Sequence, residues 1–192
     1  MNLTAIVDRV VPRAGGFYDH ATQTAQQKLA QATKDGWAAS VAKALHGNEW
    51  LGHPLHPVVI AVPIGAWSVT GWYDLVGALR GNPHDDVVAD AALRVGVVGA
   101  LAAASTGVVQ FLDTAGGVRR ETAVHAGLNN VALALYVTSM LARRGGNRAF
   151  GRKLSAVALG LVSVSGYLGG DLSYRHGVGV HHQSRSLDAA RA

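Results

Sequence analysis

The chain has 192 residues, 49% hydrophobic and 15% charged, against about 25% charged in soluble domains. It has no cysteine, which excludes disulfides, thiolate zinc sites, iron–sulfur ligation and c-type haem attachment within it. The net charge of +5 does not point to nucleic acid, because the basic residues sit between apolar runs and form no stripe interleaved with aromatics.

Residues 1–50 read as a polar-to-amphipathic region. The opening MNLTAIVDRVVPRAGG places an Asp and two Arg within its apolar run, which is not the pattern of a signal peptide. Ala21–Leu45 has no Pro and one Gly, and its Ala, Gln and Lys content predicts a helix. Leu29, Trp37, Val41 and Leu45 give that helix an apolar face. It either lies on a membrane with Lys28, Lys34 and Lys43 toward headgroups, or is solvated and tethered to the rest of the chain.

From residue 51 to 176 the pattern predicts an all-α, antiparallel bundle of four transmembrane helices, about 57–79, 87–112, 121–142 and 154–174. Each is long enough to cross ~30 Å of hydrocarbon. A soluble bundle of this size could not bury helices that are apolar on every face. Pro57 suits a first helical position, and Trp72 and Tyr73 read as an interfacial belt. Gly81–Asp86 is expected as a turn. The second span carries a small-residue face of Gly96, Gly99, Ala100, Ala103 and Gly107. Asp113–Arg120 and the basic Arg143–Lys153 are the next two turns, and span four has small residues at Gly160, Ser163, Gly166 and Gly170. Residues 177–192 read as a loose polar tail.

Antiparallel spans bring the starts of one and three to the same face as the ends of two and four. His53, His56, Asp113, His125, Asp171 and His176 therefore converge, while His84 stands alone on the other face. Span three carries a stripe of His125, Asn129, Ala132, Tyr136, Ser139 and Arg143 at helical spacing. Polar groups in lipid turn inward, so Asn129, Tyr136 and Ser139 read as bundle hydrogen bonds. Asp74 and Arg94 lie at matching depth in spans one and two and read as a buried structural ion pair, with Asp90 nearby.

Motifs in order along the chain resemble a bacterial membrane family, domain of unknown function 2231. They are Gly52-His53-Pro54-Leu55-His56-Pro57, Pro63-Ile64-Gly65, Asp74, His125-Ala126, Asn129, Tyr136, Ser139, Arg143, Gly166-Tyr167-Leu168-Gly169-Gly170 and Tyr174-Arg175-His176-Gly177-Val178-Gly179-Val180. The resemblance implies a four-helix domain of a bacterial inner membrane, followed in some members by a Rieske iron–sulfur domain. This chain has no cysteine, so a Rieske-type partner is expected to be a separate protein. Gln110 stands where the family often has Asp, which removes a carboxylate there, although Asp113 remains.

Three readings of the histidines stay open. The first is a b-type haem passing electrons, held by His56 and His125 with His53, His176 and Arg175 close by, and with Arg175 and Arg119 toward propionates. The second is a zinc, copper or iron site of His53, His56, His125 and His176 with Asp171 or Asp113. The third has no cofactor: a scaffold or subunit of a larger membrane complex, in contact with lipid or with another redox protein. No nucleophile triad, phosphate loop or HExxH motif is present, so a non-enzymatic membrane or electron-transfer subunit is the expectation. The positive-inside rule puts Arg143–Lys153 in the cytoplasm and the histidines outside, although Arg9, Arg13, Lys28, Lys34 and Lys43 count against that orientation.

Overall fold

The computed structural model of the protein describes residues 16–180. Among them every regular element is helical: α1 Phe17–Ala32, α2 Gly36–His46, α3 Asn48–Leu51, α4 His56–Val59, α5 Ala61–Arg80, α6 Pro83–Gln110, α7 Gly116–Arg144 and α8 Arg148–Tyr174, with a 3-10 turn at Phe111–Asp113. The four segments His56–Arg80, Pro83–Asp113, Gly116–Arg144 and Arg148–Tyr174 are long and apolar enough to cross a membrane. The protein is therefore an all-α, multi-pass membrane protein.

The helices start earlier than the hydropathy boundaries. Pro83 opens α6, where its missing N–H is no loss, and the Asn82 side chain accepts the His84 N–H at 3.1 Å. Gly81, at φ 65°, closes α5, so the expected turn shrinks to two residues. Arg119 and Arg120 lie in the first turns of α7, and Arg148, Arg152 and Lys153 in α8. The expected helix over Ala21–Leu45 is broken at Thr33–Asp35, because Gly36 takes φ 66°. Of the expected loose tail, Val178 N–H donates to Leu172 O at 2.9 Å and Val180 N–H to Gly177 O at 3.1 Å. Residues 181–192, with His181 and His182, lie outside the described residues, as do Arg9 and Arg13.

The chain divides into two compact units. The first contains residues 16–56, 106–125 and 166–180, and the second 57–105 and 126–165. The second unit is a four-helix bundle whose core is Trp67, Leu93, Ala132, Tyr136, Ala158 and Val162, drawn from all four spans. Trp67 and Tyr136 stack with ring centroids 4.0 Å apart. Gly96 lies under the Trp67 ring and Gly99 against Pro63, so the small-residue face of α6 packs as expected. In α8 the expected small residues Gly160, Ser163 and Gly166 are not in the core, while Ser155, Ala158, Val162 and Ser165 are buried. The outer surface is apolar too, with Val69, Val98, Leu101, Val131, Val157 and Val164 all exposed. Only lipid gives such a surface a favourable solvent.

Candidate functional site

The six residues expected to converge all fall in the first unit: His53, His56, Asp113, His125, Asp171 and His176. They do not form one cluster. Asp113 Oδ2 meets His46 Nε2 at 2.7 Å, a partner that sequence reasoning did not find. His53 is exposed, with its Nδ1 3.1 Å from Pro54 O. His56 Nδ1 lies 3.1 Å from Thr106 Oγ1, and the ring covers Gly107 of α6 closely enough that a Cβ there would be 3.0 Å from His56 Cε1. His125 covers Gly169 of α8 in the same way, with the same 3.0 Å to its Cε1.

One group of potential ligands does form. His176 Nε2 is 3.3 Å from Glu121 Oε2 and 3.9 Å from Asp171 Oδ2, and the three ligand atoms lie within 4.8 Å of one another. Glu121 sits in the second turn of α7 and is buried. Asp171 is in the last turn of α8 and half-buried, and His176 lies just past the helix end. His176 N–H donates to Asp171 O at 3.2 Å, which holds the imidazole beside the carboxylate. Arg175 Nη1 reaches Asp171 Oδ2 at 3.3 Å and offsets part of the negative charge. Glu121 was missed as a site residue because a lone acid at the start of an apolar run reads as a boundary. Its spacing from His125, four residues and so one helical face, was the available signal.

Around this group the motifs meet. A side chain at Gly179 would run into Gln110 Nε2 and lie 3.4 Å from Pro54 Cγ, so the last glycine motif, the end of span two and the His53–Pro54 segment pack together. At Gly47, with φ 91°, a Cβ would be 2.8 Å from Leu55 N, and Leu55 N–H donates to His46 O at 2.9 Å. The N-terminal helix docks here as well. Asp19 pairs with Arg119 at 2.9 Å and Arg120 at 3.0 Å. Gln26 Nε2 donates to Phe111 O at 2.8 Å and to Thr114 O at 2.7 Å. Burial on this surface pushes the Tyr18 hydroxyl above its ordinary range.

The family described as "Predicted membrane protein (DUF2231)" matches residues 52–182. The chain belongs to this family. No curated protein and no solved structure matches it.

The DUF2231 motif residues of the second unit build a different arrangement. Of the α7 stripe, Ala132, Tyr136, Ser139 and Arg143 are buried, and Ser139 Oγ bonds Gly151 O and Ser155 Oγ. The hydrogen bond expected of Tyr136 does not form, because its ring is stacked on Trp67 and its hydroxyl meets no partner. The expected Asp74–Arg94 pair does not form. Arg94 is on the outer face of α6, and depth alone does not place two side chains on facing surfaces. Asp74 is held by Arg143, through Nη1 at 2.8 Å and Nη2 at 2.5 Å. Arg143 also donates to Asp90 at 3.0 Å, Ser139 Oγ at 3.1 Å and Ser155 Oγ at 3.0 Å. Each of the five guanidinium donors thus has an acceptor. Arg148 binds Asp90 through two bonds of 3.1 and 2.6 Å and meets Asp86 at 3.2 Å, and Arg152 meets Asp86 at 2.6 Å. These bonds were hidden because residues 143–153 read as a turn.

Proposed function

We propose that this DUF2231 protein binds a divalent transition metal through Glu121, Asp171 and His176. The convergence of two carboxylates and one imidazole from two helices, with Glu121 buried, is the observation that carries the reading. The buried Glu121, the half-buried Asp171 and the exposed His176 bring two oxygens and one nitrogen close enough together to share one cation. Two oxygens and one nitrogen suit zinc, iron or manganese. Three protein ligands leave coordination positions open, which fits a site that exchanges or senses metal. Haem b held by His56 and His125 is the second reading. It draws on the Thr106 contact to His56 Nδ1, which turns the opposite ring nitrogen away from that partner, the usual device for fixing an iron-facing nitrogen.

The experiment is metal analysis and a reduced-minus-oxidised spectrum on protein purified in detergent. About one zinc, iron or manganese per chain, lost in Glu121→Gln and His176→Ala, is expected. An α-band removed by His125→Ala but kept in Glu121→Gln would transfer the proposal to haem. Clean protein without either overturns both. A bacterial inner membrane, with the connection between α7 and α8 in the cytoplasm, accompanies this reading, and a reporter fused at the C-terminus tests it.

A further inference from the structure

In the second unit α6 and α7 border a small cleft lined by Asp90, Leu93, Arg94, Met140, Arg143 and Arg144. Arg143 is fully committed to Asp74, Asp90 and the two serines, and Asp90 is already shared between Arg143 and Arg148. Asp90, the one carboxylate among these six residues, bonds neither of the other two arginines. Among the described residues Arg94 and Arg144 have no hydrogen-bond or ion-pair partner, and neither is buried. Two guanidinium groups on one rim repel each other unless an anion joins them.

The level of the cleft in the membrane is set by length. The Pro83–Asp113 segment has 31 residues. At 1.5 Å per residue it is about 46 Å long, which exceeds the ~30 Å hydrocarbon layer by roughly ten residues. The acidic first turns of α6, with Asp85, Asp86 and Asp90, belong outside the hydrocarbon, and Arg94 falls at its boundary. One turn deeper, on the same faces, stand Val98 four residues after Arg94 and Leu141 three residues before Arg144, both exposed. Two cations at headgroup level, above exposed apolar side chains on two adjacent helices, match a ligand with an anionic head and a hydrocarbon tail.

We propose that Arg94 and Arg144 hold the phosphate of an anionic phospholipid at the α6–α7 cleft, with an acyl chain along Val98 and Leu141. Arginine suits this role because its planar fork bonds phosphate oxygens in pairs and it is weakly hydrated. The site needs neither metal nor haem.

The test is native mass spectrometry of delipidated protein in neutral detergent. It is titrated with phosphatidylglycerol, with phosphatidylcholine of the same chains, and with inorganic phosphate. Wild type is expected to retain one phosphatidylglycerol at least fivefold more strongly than phosphatidylcholine. Arg94→Gln/Arg144→Gln should reduce the two lipids to parity, while Arg80→Gln/Lys153→Gln, charges away from the cleft, should leave the preference intact. Arg94→Gln alone, which leaves the loop after α7 untouched, should lose at least threefold. An unchanged preference in either Arg94 variant overturns the proposal. Inorganic phosphate binding as strongly as phosphatidylglycerol overturns the lipid as its source.

Discussion

The Arg143 network and the Glu121 group are both built from charged side chains on membrane helices, and they differ in completeness. Every guanidinium donor of Arg143 is matched, Asp74 and Asp90 are each gripped by a two-bond arginine fork, and those bonds run from 2.5 to 3.1 Å, while Arg152 Nε at the edge stands 3.8 Å from Asp74. Around Glu121 the imidazole stands 3.3 and 3.9 Å from two carboxylates, looser than good charge-assisted hydrogen bonds. A saturated network has no capacity left for a ligand and holds helices together. The Glu121 group is spaced like a coordination shell, and on the metal-binding reading proposed above it keeps that capacity. The sequence patterns of the two regions look alike, since each is a few polar residues on apolar helices, and the lengths of their contacts separate them.

The largest expected effect breaks the saturated side. Arg143→Ala leaves Asp74 buried without its main counter-ion and costs about 3–5 kcal/mol. Arg143→Lys should recover little of this, because an ammonium cannot reproduce a five-donor fork. The thermal midpoint in detergent, followed by size-exclusion chromatography, measures both. Equal losses from Glu121→Gln and Arg143→Ala would erase the contrast, since the ligand-binding reading expects Glu121→Gln to cost stability only when metal is present.

The next effect probes how the histidines are seated. Gly169→Ala forces His125 to shift by a few tenths of an ångström, for an expected cost of about 1–2 kcal/mol. Gly160→Ala lies on the same helix but meets nothing within 4 Å, so it should be neutral or stabilise by about 0.5–1 kcal/mol. If both variants melt alike, the imidazole does not rest on that glycine. A comparable effect is expected from Asp19→Ala, which takes the shared acceptor from the buried Arg119 and from Arg120 and costs about 1–3 kcal/mol. Limited proteolysis should then cut between α1 and α2 faster, with a lowered thermal midpoint.

How much of this was legible from sequence depended on whether periodicity or pairing carried it. The four spans come from runs of apolar residues that nothing but lipid can cover, and the α7 stripe from Tyr136 to Arg143 comes from 3.6-residue spacing alone. Pairing was not legible in the same way. Asp74 and Arg94 share a depth, but Arg94 is one position round the helix from the buried Leu93, and that rotation of about 100° turns it away from the core. Reading 143–153 as a turn hid Arg148 and Arg152, because hydropathy marks where a helix becomes polar and not where its hydrogen bonds end. Glu121 stayed hidden for the same reason. The pairing of His46 with Asp113 joins residues far apart in the chain, and no local pattern encodes it.

The smallest expected effect tests the comparison at the core itself. Tyr136 is fully buried and stacked on Trp67, yet its hydroxyl has no hydrogen-bond partner, and neither has the Trp67 Nε1. In lipid, as in a protein interior, an unmatched buried hydroxyl carries a desolvation cost of about 1–3 kcal/mol, whereas the ring contributes through area and stacking. Tyr136→Phe keeps the ring and removes the unmatched group, so the thermal midpoint should stay within about 0.5 kcal/mol of wild type or rise. Tyr136→Ala, by contrast, should cost about 3–5 kcal/mol through the lost ring. A loss above about 1 kcal/mol in Tyr136→Phe means that the hydroxyl has a partner, and a buried water bridging it to Trp67 Nε1 or another polar group is the simplest one. The bundle core would then join the Arg143 network as a second matched polar system of the second unit.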